Sequence, residues 1–298
     1  MSWSGRTRQV IAGCLVAMLG AACTQAASGA SGRIDVVGAF YPLAWVAQEV
    51  GGPRVNVVDL TPPGVEAHDT NLSARQVADV ENADVVLILG YLGFQPQVEQ
   101  AARQASGRVV EVTRQITLRP SQERGLSADP HVWLDPALME NIVQVVARAL
   151  VIADPGGTAD YQARGDRVVR QLASLDQRYR AGLLGCRFSQ FVTTHEAFGY
   201  LADQYGLQQI GIEGLTPEAE PSAQQLRTTE DAIRSGKAAP AVFYEETAEG
   251  ERIGKTVAGA VGAPALPLGT LEFDPAPGNY MSVMQANLAS LRKGLQCP

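Results

Sequence analysis

The order of short β-rich runs and longer helical runs predicts an α/β fold built on central, mainly parallel sheets. Three observations carry that reading. Asp84-Val85-Val86-Leu87-Ile88-Leu89-Gly90 is a near-continuous apolar run, the pattern of a strand buried on both faces of a parallel sheet. Strand-like and helix-like runs alternate around it. The same alternation begins again after one long periodic segment, Thr158 to Leu184.

Taken in order, Ile34–Gly38 reads as a strand and Pro42–Val50 as a helix with Leu43, Val46, Ala47 and Val50 on one face. Val55–Leu60 is a second strand, ending at the loop Pro62-Pro63-Gly64. Ser73 caps a helix that contains Val77 and Val80, and Arg108–Val112 follows Asp84–Gly90 as a further strand. Asp135-Pro136 reads as an N-cap followed by proline at the first helical position, so a helix runs over 137–152 with Leu138, Ile142, Val145, Val146 and Leu150 inward. Pro155-Gly156-Gly157 breaks it. The long segment places Tyr161, Val168, Leu172, Leu175, Tyr179 and Leu183 three, four or seven residues apart, along one helix face. Beyond it, Phe188–Thr194 is a strand, Phe198–Tyr205 is helical, and Ser222 caps another helix. Ala241–Glu245 is a strand leading into a helix through residue 260, Ala265–Leu268 is a short strand, and Asn279–Leu295 closes the chain as a helix. On that helix Met281, Met284, Leu288 and Leu291 have core spacing, and no partnering cysteines make them a soft-metal box.

At 298 residues there is room for one large or two ordinary domains. The net charge of −7 and the lack of any Lys/Arg-rich run exclude a nucleic-acid partner, because neutralising phosphates needs a basic patch.

Residues 1–23 read as a targeting segment. Arg6 and Arg8 precede an apolar run from Val10 to Ala22 that is too short to span a bilayer as a mature helix. Gly20-Ala21-Ala22-Cys23 resembles a bacterial lipobox with Cys23 as the lipidated residue; ordinary cleavage after Ala26 is the alternative. Residues 24–32, small and polar, read as a flexible tether. Cys14 would leave with the signal. That leaves Cys186 and Cys297, in an oxidising compartment either a disulfide or two inert buried thiols. In the chain-entropy picture such a bridge contributes about 4.8 kcal/mol at most.

The chain has three histidines, and none lies on the apolar face of a periodic segment. His68 follows the Pro-Pro-Gly loop, His131 sits in Asp129-Pro130-His131-Val132-Trp133-Leu134-Asp135-Pro136, and His195 directly follows a strand in Thr193-Thr194-His195-Glu196-Ala197-Phe198. In open α/β sheets ligands bind beyond the carboxyl ends of strands, which is where His68 and His195 fall. Each histidine has a nearby carboxylate able to hold its second nitrogen, and three imidazoles suit Zn²⁺. Sequence spacing alone does not bring them together.

Four blocks in order resemble a known family. Pro63-Gly64-Val65-Glu66-Ala67-His68-Asp69, Asp129–Pro136, Thr193–Leu201 and Pro217-Glu218-Ala219-Glu220-Pro221-Ser222 are similar to motifs of the metal-specific solute-binding lipoproteins of ABC importers, and of their zinc branch in particular. The resemblance runs from about residue 33 to the C-terminus. It implies two α/β lobes, 33–153 and 186–298, joined by a rigid backbone helix within 154–185 that limits the lobes to small movements. It implies a non-enzymatic protein that captures Zn(II) in the cleft between the lobes, outside the cytoplasmic membrane, and delivers it to an ABC permease with its ATPase. The protein would be a monomer, held by its lipid anchor, or periplasmic without one. Manganese-carrying members have a carboxylate where this chain has His195, which favours zinc. The histidine-rich loop of many zinc members has no counterpart in Ile116–Ala128, which holds no histidine. Other readings are a manganese or other divalent-metal binder, an adhesin or zinc chaperone, and an exported zinc hydrolase with Glu66 or Glu196 as base; the last lacks a His-Glu-x-x-His helix.

The implied ligands are His68, His131 and His195. For the fourth, the family's aspartate falls at Leu266 in Ala265-Leu266-Pro267-Leu268-Gly269, and leucine cannot coordinate. Three neutral imidazoles leave the ion's double charge unbalanced, so an anion is expected. Asp274 is the first choice and Glu272 the second. Glu66, Glu245, Glu246 and a bound water or hydroxide are the alternatives.

Overall fold

The computed structural model describes residues 1–2, 32–216 and 223–298. Cys14, Cys23, the tether up to Ser31 and the Pro217–Ser222 block with its Ser222 cap lie outside them. Gly32–Pro298 forms one compact unit.

That unit holds two four-stranded sheets of the same plan. Strands β1 (Ile34–Gly38), β2 (Val55–Asp59), β3 (Val85–Ile88) and β4 (Arg108–Glu111) are all parallel, in the order β2-β1-β3-β4. Strands β5 (Gln190–Thr193), β6 (Gln208–Gly211), β7 (Ala238–Tyr244) and β8 (Ala265–Pro267) repeat the arrangement as β6-β5-β7-β8. In each sheet the chain goes to one side of its first strand and then to the other. The crevice at such a switch point is where open sheets bind ligands. Every residue of β3 is buried, which accounts for its unbroken apolar run.

The helices follow local chemistry. Helix α1 (Tyr41–Gly51) starts with Pro42 in its first turn. Helix α2 (Ala74–Asn82) has a reciprocal capping box between Ser73 and Gln76. Helix α3 (Pro96–Ala102) had no counterpart in the sequence reading, since seven residues are too few to display a period. Helix α4 (Pro136–Ala153) is capped by Asp135, whose side chain accepts from Ala137 N. Helix α5 (Thr158–Gly182) has 25 residues and spans about 38 Å. It buries Tyr161, Val168, Leu172, Leu175 and Tyr179, as its spacing predicts, and links the two α/β lobes. Helices α6 (Gly199–Gln204), α7 (Ala223–Arg234) and α8 (Ala248–Val261) belong to the second lobe. β6 was also not foreseen: Gln208-Gln209-Ile210-Gly211 has no β-rich pattern, and edge pairing with β5 makes it a strand.

The last helix, α9 (Tyr280–Gly294), returns to the first lobe before closing the second. The Tyr280 ring stacks on Trp45, its N–H donates to Tyr41 Oη at 3.0 Å, and its hydroxyl donates to Trp133 O at 2.6 Å. Tyr179 of α5 donates to Met284 O at 2.6 Å. Met284 and Leu291 are core residues, with Met281 and Leu288 partly buried beside them. At the far end Cys186 and Cys297 are joined by a disulfide, which fixes the C-terminus to the segment entering β5.

Candidate metal centre

His68 stands on a short 3-10 turn, Ala67–Asp69, beyond the carboxyl end of β2. The turn is held by buried Gln95, whose Nε2 donates to Ala39 O at 3.1 Å and Ala67 O at 3.2 Å. The edge of Phe94 packs on the imidazole, with 4.7 Å between ring centres. His131 precedes the 3-10 turn Val132–Leu134. Its Nδ1 donates to Asp129 Oδ1 at 2.8 Å, and its backbone N–H donates to the same oxygen at 3.0 Å. A carboxylate only accepts, so Nδ1 carries the proton and Nε2 keeps its lone pair free.

His195 follows β5. Its Nδ1 lies 3.1 Å from Glu245 Oε2 and its Nε2 lies 3.0 Å from Leu215 O. Both partners are acceptors, so each ring nitrogen would satisfy its partner by carrying a proton. Burial opposes the charge this puts on the ring, but the Glu245 carboxylate outweighs burial and the His195 pKa is pushed up to about 10. Burial likewise opposes protonation of His131, and Asp129 raises its pKa nonetheless.

The three rings converge, with centres 5.7, 5.4 and 4.9 Å apart. Between them lies Glu272. Its Oε1 is 3.3 Å from His68 Nε2, 3.6 Å from His131 Nε2 and 3.8 Å from His195 Nδ1. One ligating atom from each of the four residues lies within 4.8 Å of the others. Among the described residues, His68 Nε2, His131 Nε2 and Glu272 Oε1 are buried without a hydrogen-bond partner. Leaving such atoms unsatisfied costs about 1–3 kcal/mol each, and a cation at their meeting point would satisfy all of them. Burial by itself would raise the Glu272 pKa; the charge of His68, with His131 and His195, instead holds it well below the usual carboxylate range.

Among the acidic candidates, Glu272 meets the histidines and Asp274 does not. Leu271 has φ of +60°, a left-handed conformation that leucine rarely adopts, and this turns the chain so that Glu272 enters the cluster. Trp133 Nε1 donates to Thr270 O at 2.7 Å and Ala67 N donates to Glu272 Oε2 at 3.2 Å, so the segment is fixed from the first lobe. The backbone then bends outward and Asp274 is exposed, in a separate hollow with Glu246, Phe273 and Pro275. Leu266 faces the core on β8, paired with Phe243. Glu245 holds His195 rather than joining the four. Glu66, half-buried, lies close enough to feel the Glu245 and Glu272 charges; burial first, then those charges, push it to about 8. Glu196, which neighbours His195 in sequence, is not its partner. The sequence reading therefore had the three histidines and, as second choice, Glu272, but missed the orienting roles of Gln95 and the Leu215 carbonyl. No sequence signal marks a backbone carbonyl as a histidine partner.

A cleft of about 680 Å³, lined by His68, Phe94, Glu123, Leu126 and Thr216 among others, opens beside the cluster.

Two parallel sheets facing one cleft, with imidazoles beyond their carboxyl ends, define a two-lobed solute-binding protein. The chain belongs to the ZnuA family, described as "Zinc-uptake complex component A periplasmic", whose family model matches residues 36–294. It is similar to the high-affinity zinc uptake system protein ZnuA of Bacillus subtilis (strain 168), 30% identical with 98% of each chain covered. It is 30% identical to the zinc-binding lipoprotein AdcA of Streptococcus pneumoniae (strain ATCC BAA-255 / R6) over 89% of this chain, but spans only 56% of that longer relative. Among solved structures, Zn(II)-bound AdcA from S. pneumoniae superposes with a TM-score of 0.76 at 30% identity, covering 89% of this chain and 58% of that one. The laminin-binding protein Lmb of Streptococcus agalactiae, described as having adhesin and metal-transporting activity, gives 0.78 at 29% identity, with 88% and 99% covered.

Proposed function

We propose that this protein captures Zn(II) outside the cytoplasmic membrane and delivers it to an ABC permease with its ATPase. His68, His131, His195 and Glu272 are the ligands. The observation that carries the reading is the convergence of four ligating atoms at one point, three of them buried and without a hydrogen-bond partner among the described residues. Three imidazoles and one carboxylate suit Zn²⁺ in tetrahedral geometry, whereas Mn²⁺ favours a richer oxygen set. One carboxylate among neutral imidazoles leaves a net single positive charge, which the neighbouring carboxylates of Asp129 and Glu245 temper.

Capture exchanges protons for metal. A doubly protonated His195 must give up a proton before it can ligate, and Glu245 beside Nδ1 is placed to accept it. The lobes are 33–153 and 186–298, with 154–185 as connector. A monomer carrying lipid on Cys23 would remain at the membrane beside its permease. The protein is a binding protein, not an enzyme.

Metal analysis of protein purified without added metal, followed by competition between Zn²⁺ and Mn²⁺, tests this. One equivalent of zinc, not displaced by excess manganese, is expected. No bound zinc, or preferential manganese binding, would sink the proposal.

A further inference from the structure

We infer that Arg119 and Glu123, on the loop between β4 and Asp129, are positioning residues that clasp the two lobes around bound zinc and set how long it stays. The inference rests on the zinc reading above. Neither residue belongs to the four-residue cluster; each acts through a group that holds one of its histidines.

The first arm reaches His131. Arg119 Nε lies 3.3 Å from Asp129 Oδ2, the carboxylate whose other oxygen holds His131 Nδ1. The same guanidinium pairs through Nη1 with Asp203 on α6 of the second lobe. Tyr200, also on α6, donates its hydroxyl proton to Asp129 O at 2.8 Å and accepts from Arg119 N at 2.8 Å. The orienting carboxylate of a first-lobe histidine is thus tied to a second-lobe helix.

The second arm reaches His195. Glu123 Oε1 accepts from Leu215 N, and Leu215 O is the partner of His195 Nε2. Here a side chain of the first lobe fixes the backbone of Leu215, whose carbonyl in turn holds a second-lobe histidine. The loop itself is braced: Pro120 and Ala128 form an antiparallel bridge, Ser127 N donates to Leu92 O at 2.8 Å, and Glu123 N donates to Ser121 Oγ at 3.0 Å.

Both arms land on glycines. A Cβ on Gly199 would come within 2.7 Å of Arg119 Nε, and a Cβ on Gly214 would overlap Glu123 Oε1. Any larger residue at either place would displace the arm, so the second-lobe surface is shaped to receive both.

While both arms are closed, His131 and His195 cannot draw apart, and losing both from the metal at once is what release requires. The arms tie the closed arrangement in which the histidines converge, so they stabilise the loaded state that release must leave. The clasp should therefore act on dissociation far more than on association. Removal of an outer-shell partner typically costs about 10–100-fold in metal affinity, and here that loss should fall on the off-rate.

The test is stopped-flow release of zinc from the loaded full chain into excess fluorescent chelator, alongside association rates and unfolding midpoints. R119M, E123A and G214A are expected to release zinc about 10–100-fold faster, with association changed by less than about threefold. E123Q keeps an acceptor oxygen for Leu215 N and should remain near the parent rate. A merely structural role would lower the unfolding midpoint of these variants without changing the off-rate, and that result would overturn the clasp. Equal effects on association and dissociation would also overturn it. If the parent itself binds no zinc, the zinc reading and the clasp fall together; if the parent holds zinc and every variant releases it at the parent rate, the clasp alone fails.

Discussion

His195 and Glu245 are partners because β5 and β7 are in register. Thr193 lies opposite Phe243, so the residues two places further on emerge side by side at the sheet's carboxyl edge. Their side chains meet at 3.1 Å, and Thr270 donates its hydroxyl to the other Glu245 oxygen. Sheet register thus places the carboxylate that orients a second-lobe imidazole.

Glu245→Ala should weaken zinc binding about 10–100-fold, because it removes both the carboxylate that places the ring and the acceptor for the proton His195 sheds on ligation. Glu245→Gln fills the same space but cannot take that proton, so it should lose nearly as much. Chelator competition measures both, and an Ala variant with parental affinity would show that register alone orients His195.

Glu272→Ala should lose about 100-fold or more in zinc affinity, at least what an outer-shell partner is worth. Asp274→Ala, altering an exposed residue, should bind as the parent does. The reverse ranking would restore the assignment that the sequence favoured.

Asp135 provides a pH test away from the metal centre. It is 4% exposed, and burial pushes its carboxyl up to about 6 against the lowering effect of the Ala137 and Leu138 N–H groups. The unfolded value is 3.8, so the native state holds a proton that the unfolded state releases between those limits. This contribution to stability is complete below pH 3.8 and is lost as pH rises through about 6. Asp135→Asn keeps the N-cap and removes the ionisation. It should raise the thermal midpoint at pH 8 and leave it nearly unchanged at pH 4. A midpoint gain of the same size at both pH values would refute the assignment.

Removing the disulfide as Cys186→Ala/Cys297→Ala should cost about 2–5 kcal/mol in urea unfolding. Zinc affinity should hold, since neither cysteine touches the four-residue cluster. A large affinity loss would mean that the C-terminal pin also shapes the cleft.

The histidines were legible because each interrupts the apolar pattern at the point where a strand has ended or a helix is about to begin. The buried strand β3 and the long helix α5 were equally plain, since both repeat one pattern without a break. The choice between Glu272 and Asp274 was not legible. It turns on Leu271 adopting a conformation its own side chain disfavours, which is imposed from outside by Trp133 gripping Thr270 and by Tyr280 set against Trp45. Propensity describes what a residue does when left alone, and this one is not. Gln208–Gly211 was hidden for a related reason: its strand character comes from its neighbour.

The chain passes between its lobes along α5 and touches back again where Tyr280 lies on Trp45. Two points of attachment define an axis, as two hinges do for a door. Relative motion of the lobes would then be guided as a swing about the line through those points. A permease that drew the metal out would need to push along that swing, against the Arg119 and Glu123 ties that hold the two lobes together over the ion.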